Sequence, residues 1–305
     1  MSKRIITGID IRCDSILAVT VARKYDTYQL QMIQDIPTNR DIVSENIPLH
    51  HQLLVNILAE LKKKRLRKGR EITLCVPESA VICKIVDVPS YIRGRKEEGP
   101  AVLRAFAKSA PLPIEELAID YEQVGSLFQV FATRKAEVLS RKQLVKNAGL
   151  KLGLIESEKN AFHHAHLWVD VCMETQQSLL IDWGKENVRF GFSDGDRYVY
   201  RCSSLADRST TNLSQMAALF YQECQRFLSL NPSIKPQATL IYSSVELPQE
   251  IESCAKQLLG IKIYRLESLF NHHALLIEQN VNEPFLALGS ALSGFHAIEE
   301  HRYVA

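Results

Sequence analysis

One series of secondary-structure signals runs through this chain twice, and that duplication constrains its fold more than any single motif does. Arg4 to Ile11, Ser15 to Arg23 and Tyr28 to Ile36 are β-branched and aromatic runs broken by the short segments RCD and KYDT, which predicts a three-stranded antiparallel meander. Pro48 then precedes LHHQLLVNILAEL, where Leu49, Leu53, Leu54, Ile57, Leu58 and Leu61 form a helical stripe that Gly69 stops. A strand, Glu71 to Val76, follows. After Gln177 the series returns as strands SLLIDW, VRFGFS and RYVYRCSS, a helix over Asn212 to Leu228, strand ATLIYSS, a helix from Pro248 and strand GIKIYRL. The first strand ends on Ile-Asp each time, at Ile9-Asp10 and at Ile181-Asp182. Asp is common in turns, so the pair alone proves little, but the matching order of whole elements makes it a repeat.

Composition narrows the class. With 46% hydrophobic and 24% charged residues and only 13 Gly and 11 Pro in 305, the chain is neither disordered nor fibrous and can bury sizeable cores. Its 37 basic and 35 acidic side chains leave a net charge of +2, too little to attract nucleic acid or lipid at long range. The seven cysteines are scattered with no Cys-x-x-Cys pair, which predicts reduced thiols in a cytoplasmic protein. Asp10 interrupts the apolar start, and the uncharged run from Pro284 to Ile298 falls short of the about 20 residues that span a bilayer, so any membrane contact is expected to be peripheral.

Three meander strands, a helix and another strand make up the first half of a ribonuclease-H-like unit, so the fold class is α/β with that unit duplicated. Between the halves, 80–149 reads as strand, helix, two strands and helix, enough for an α+β insertion. In such a duplicated fold the two strand ends face each other across a cleft, where Asp10 and Asp182 could hold hydrated Mg²⁺ on a nucleotide's phosphates. The turns after those strands cradle phosphate by backbone N–H groups and favour glycine, because a Cβ is in the way. Gly184 fits that role; Arg12, at the equivalent place, either binds a phosphate or fills its space, and the second is preferred. Ser243 and Ser244 stand where an adenosine-binding strand end favours glycine, so Mg-ATP affinity is expected to be weak or lost.

The segments GIDIRCDSILAVTVAR, VICKIVDVPS, APLPIEELAIDYEQV, KNAGLKLGLIESEKNA, LLIDWGKENVRFGF and FLALGSAL together resemble the PilM family of actin-like type IV pilus assembly proteins, and within it the divergent HofM and ComA type linked to competence and DNA utilisation. The resemblance implies an actin-like, FtsA-like fold with domain limits at 1–79 (first half of domain I), 80–157 (the inserted α+β subdomain), 158–176 (a connecting helix), 177–283 (domain II) and 284–305 (a C-terminal helix packing back toward the cleft). It also implies a place on the cytoplasmic face of the inner membrane. There the protein would bind the N-terminal cytoplasmic tail of a PilN-like single-pass protein, in a groove between the first subdomain and the insertion, with room for self-association. Arg12, Ser243-Ser244 and the glycine-poor RCSSLADRST depart from the family where nucleotide is handled, and no Glu or Gln stands out as a water-positioning base. The expectation is therefore a non-catalytic scaffold; the alternative is an active Mg-ATP-dependent ATPase or kinase of the same fold. HAIEEHRYVA carries no sustained apolar stripe, so an FtsA-type membrane-binding tail helix is not expected.

LKKKRLRKGR gathers Lys62, Lys63, Lys64, Arg65, Arg67, Lys68 and Arg70 into one local patch. Basic residues at a helix C-terminus are favoured by the macrodipole, and such a cluster also attracts anionic lipid at about 1 kcal/mol per charge. No recognition motif accompanies it, which argues against DNA as a partner. His163 and His166 lie one helical turn apart, but no further ligand completes a metal site, so an ordinary helix face is expected.

Overall fold

The computed structural model describes residues 4–303 apart from 13–14, 26, 39–42, 45–46, 49–50, 65–70, 185–186, 194–196, 206–212, 244–250, 252, 254–255, 259–261, 267–268 and 271–282. The first meander is β1 (Arg4–Ile11), β2 (Ser15–Lys24) and β3 (Thr27–Pro37). A short ribbon of β4 (Val43–Ser44) and β5 (Ile47–Pro48) leads to α1 (His51–Lys64) and β6 (Glu71–Val76). There follow β7 (Ile82–Val86), α2 (Glu98–Ala107), β8 (Leu117–Val124), β9 (Leu127–Arg134), α3 (Lys135–Asn147), β10 (Lys151–Ser157) and α4 (Glu158–Met173). The second series is β11 (Ser178–Trp183), β12 (Asn187–Ser193), β13 (Tyr198–Ser204), α5 (Leu213–Leu230), β14 (Ala238–Ser243) and β15 (Lys262–Arg265), closed by α6 (Phe285–Tyr303).

The two large sheets have one topology. The first runs β10-β6-β1-β2-β3 and the second β15-β14-β11-β12-β13. In each, the meander pairs are antiparallel and the two crossover pairs parallel. The duplication read from element order is therefore a duplication of fold, α/β in class.

Both sheets are covered on two faces, which is why their central strands are apolar at consecutive positions. Ile9, Ile16 and Ala18 pack toward Leu54, Leu58, Leu144 and Val145 of α1 and α3. The opposite face, with Ile6, Leu17 and Val19, meets Leu180, Leu240 and Tyr242 of the second sheet in one core that also takes Phe162 and Val169 of α4 and Phe285, Leu288 and Leu292 of α6. Trp183, Phe190, Phe220 and Phe227 fill the outer core of the second half. Thus α4 and α6 lie between the sheets. They touch closely, since a Cβ on Gly289 would overlap the Ala161 carbonyl and one on Gly8 the Ala287 carbonyl.

The small sheet β7-β9-β8 packs on α2 through Val86, Val102, Phe106, Leu117, Phe128 and Val130. The insertion is narrower than the 80–157 expected. β10 pairs in parallel with β6 from Lys151↔Glu71 to Ser157↔Val76, and α3 contributes to the core beneath the first sheet. Both belong to the first half, and the added strands and helix span β7 to β9.

Among the described residues, no helix is long and apolar enough to cross a membrane. Cys75, Cys83, Cys172, Cys202 and Cys224 are not joined in disulfides.

Candidate functional site: the strand ends between the two halves

The ends of β1 and β11 are built alike. Asp10 lies opposite Leu17 in the first antiparallel pair and Asp182 opposite Arg189 in the second. Two residues on, the Arg12 backbone N–H donates to the Ser15 carbonyl at 2.9 Å and the Gly184 N–H to the Asn187 carbonyl, also at 2.9 Å. Arg12 and Gly184 are thus structural equivalents, one turn position in each half.

Side chains of this chain fill the space between these turns. The Arg12 guanidinium donates from Nε to Asp10 Oδ2 at 2.8 Å and from its second arm to the Glu283 carbonyl oxygen. Burial opposes that charge, but Asp10 and Glu283 hold the Arg12 pKa above its ordinary value. Glu283, two residues before α6, places its carboxylate against Gly184 where a Cβ would overlap Oε1. The Arg189 guanidinium donates to Glu283 Oε2. Asp182 is fully buried and its Oδ2 is 3.7 Å from Arg189 Nη1. Neither of its oxygens has a hydrogen-bond partner among the described residues. Burial first, and then the Glu283 charge, push its pKa up to about 8, which favours the neutral carboxyl.

The surroundings are acidic. Glu158 lies 4.0 Å from Arg189 and also accepts from the Glu78 backbone N–H at 3.1 Å. Burial raises its pKa. Glu156 is likewise raised by burial and accepts from the Ser293 hydroxyl at 2.6 Å. Ser243 is buried at the end of β14, where its hydroxyl donates to the Trp183 carbonyl at 3.1 Å and ties two strand ends together. Ser244 lies outside the described residues.

This arrangement does not fit Mg-ATP. The expected phosphate cradle at Gly184 holds a carboxylate, the equivalent turn carries Arg12, and Asp182 is fully buried with a guanidinium 3.7 Å away. A triphosphate would have to displace Glu283 and compete with several buried carboxylates. Asp10, Arg12, Asp182 and Gly184, the residues the sequence singles out, lie together here, and Glu283, Arg189 and Glu158 join them without a sequence motif. Arg189 left one trace, a cation inside the otherwise apolar VRFGF strand.

The other candidates do not join this cleft. Of the basic run, Lys62 packs its ammonium against Gly149 and Lys63 pairs with Glu60 at 3.5 Å. Lys64 ends α1, and Arg65, Arg67, Lys68 and Arg70 lie outside the described residues. His166 is buried, with Nε2 2.7 Å from Ser178 Oγ and Nδ1 3.3 Å from the Tyr198 hydroxyl, while His163 stacks on Tyr198. Burial lowers the pKa of His166 to about 3 and of His163 and His164 to about 4. No group of three possible metal ligands occurs among the described residues.

A second feature lies on the insertion. β7 and β8 are the edges of the small sheet, and its face turned away from α2 carries exposed Ile85, Val124 and Leu127 beside Asp120 and Glu122.

The family of type IV pilus assembly protein PilM matches residues 8–206, roughly two thirds of the chain. The chain belongs to the PilM family. No curated protein is significantly similar to it. Among solved structures, the PilM-PilN type IV pilus biogenesis complex matches with a TM-score of 0.71 at 19% identity over 96% of this chain and 98% of that one. The ethanolamine utilization protein EutJ from Carboxydothermus hydrogenoformans matches with a TM-score of 0.51 at 9% identity, over 96% and 89% of the two chains. These likenesses establish an actin-like fold. The PilM-family chain is an actin-like type IV pilus assembly protein whose strand ends are bridged by its own arginines and a glutamate.

Proposed function

We propose that this PilM-family protein is a nucleotide-independent scaffold at the cytoplasmic face of the inner membrane, where it holds the N-terminal tail of a PilN-like single-pass protein. The observation that carries the reading is the cleft: Arg12 pairs with Asp10, Arg189 pairs with Glu283, and Arg12 also donates to the Glu283 carbonyl, so the chain's own groups satisfy one another between the two turns. The solved relative with the highest of the two TM-scores above is a PilM in complex with PilN, which supports the choice of partner.

The small sheet suits capture of an extended tail. A peptide adding to a free edge such as β7 would gain main-chain hydrogen bonds, while Ile85 on the exposed face offers an apolar contact and Asp120 and Glu122 favour a basic residue in the tail. Tethering the tail to a membrane protein raises its local concentration, so modest intrinsic affinity suffices. The basic run at 62–70 adds peripheral attraction to anionic lipid.

Calorimetric titration of a synthetic N-terminal tail of a PilN-like protein tests the proposal. Saturable binding is expected, weakened about tenfold by Ile85→Asp, the loss of roughly one good contact. Absence of heat at high tail concentration would overturn it.

A further inference from the structure

We propose that Glu283 is a built-in anion: its carboxylate occupies the phosphate position of the second turn and lets the two halves close without any bound ligand. Three independent features converge on this residue. Its carboxylate lies against Gly184, in the space that the absent Cβ leaves free. Two guanidinium groups address it from different halves, buried Arg189 of β12 at the carboxylate and half-buried Arg12 after β1 at the carbonyl oxygen. Its backbone is left-handed, with φ +43°, although it is neither Gly nor Asn and precedes a proline, where a helical-type conformation is disfavoured. A strained backbone persists only where the surroundings over-determine it, and here the two arginines supply that determination.

The same three contacts describe how a phosphate would be held: a glycine allowing close approach, and cations from each half. Glu283 provides one negative charge with two acceptor oxygens, and because it is covalently attached beside α6 its effective concentration is high and permanent. Arg12 then makes sense as a partner of this internal anion and of Asp10. It follows that a chain lacking the Glu283 carboxylate leaves Arg189 without that partner beside the open Gly184 turn, while Arg12 keeps Asp10 and the residue-283 carbonyl, and should accept inorganic phosphate at Arg189 and the turn.

The experiment uses the full chain and two variants. Glu283→Gly removes the side chain and also relieves the left-handed backbone; Glu283→Gln keeps the shape and removes the charge. Thermal unfolding is followed in potassium phosphate and in potassium chloride of equal ionic strength at pH 7. Phosphate is expected to raise the midpoint of Glu283→Gly over chloride by about 2 °C or more beyond the general salt effect it has on the parent, the size given by a ligand well above its dissociation constant. Glu283→Gln, whose amide still fills the space, is expected to melt earlier than the parent with no phosphate response beyond the parent's. Should Glu283→Gly not fold in chloride, recovery of folded protein in phosphate but not in chloride reads the same result. Equal behaviour of Glu283→Gly in the two salts, or an equal phosphate response in the parent, would overturn the proposal. It rests on the reading of the cleft as nucleotide-free, and the two fail separately. Mg-ATP binding by the parent defeats that reading, whereas an unresponsive Glu283→Gly alongside a parent that ignores Mg-ATP defeats only the built-in anion.

Discussion

Arg12 and Gly184 hold one turn position in the two halves of the fold, each donating its backbone N–H to the carbonyl three residues on, yet one carries a long cation and the other no side chain. The asymmetry is complementary. The space left open at Gly184 admits the Glu283 carboxylate, and the Arg12 guanidinium reaches across to the carbonyl of that same residue. The cleft is thereby closed from both sides by one residue beside α6.

Arg12→Gly would make the two turns alike and strip the donor from Asp10 and from the Glu283 carbonyl. Breaking a mostly buried ion pair by removing one partner costs about 3–5 kcal/mol. The Arg12 side chain is 14% exposed, so a loss near the lower end is expected in urea denaturation. A loss under about 1 kcal/mol would mean that Arg12 is a solvated surface cation.

Gly289→Ala tests the packing of the two helices between the sheets. The added methyl would overlap the Ala161 carbonyl, and backbone cannot swing aside as a side chain can. Overpacking of this kind costs about 1–3 kcal/mol, or more where backbone must move, against the slight gain that Ala normally brings to a helix. Denaturation midpoints decide the sign, and a stabilised Gly289→Ala would contradict the close crossing of α4 and α6.

The element order was legible in the sequence because period-2 and helical apolar patterns are local properties, present in each strand and in α1 alike. The insertion's end was not. β10 is a half-buried strand whose parallel partner β6 lies some 80 residues earlier, and nothing within KLGLIES announces that pairing. Arg12 was singled out because glycine was expected there. Glu283 was invisible for a different reason: its partners are 94 residues away at Arg189 and 271 away at Arg12, and a lone Glu before a proline reads as an ordinary helix approach. Ion pairs between distant segments leave no periodicity, so the residues that close this cleft emerge only when the halves are folded together.

Asp182 gives the account a pH signature. Its carboxyl titrates near 8 in the folded chain against an ordinary value of 3.8, so between those values the folded state keeps a proton that the unfolded state has released. Stability from this group therefore falls as pH rises from about 4 to about 8. Asp182→Asn is neutral at every pH and is expected to be more stable than the parent at pH 8, with the advantage shrinking as pH falls toward the ordinary carboxylate range. Denaturant unfolding at pH 8, 6.5 and 5 checks this, and an advantage that grows on acidification would show that Asp182 is ionised in the cleft. His163, His164 and His166 act on both proteins alike and cancel in the comparison.

For the scaffold proposed above, tail binding is expected to proceed without nucleotide. The most direct measurement is a calorimetric titration of the PilN-like tail performed twice, in buffer alone and in saturating Mg-ATP, with Mg-ATP itself titrated as the third arm. One tail affinity is expected in both buffers, within a factor of about two, with no heat from Mg-ATP. Saturable Mg-ATP binding together with a tenfold or larger change in tail affinity would contradict it.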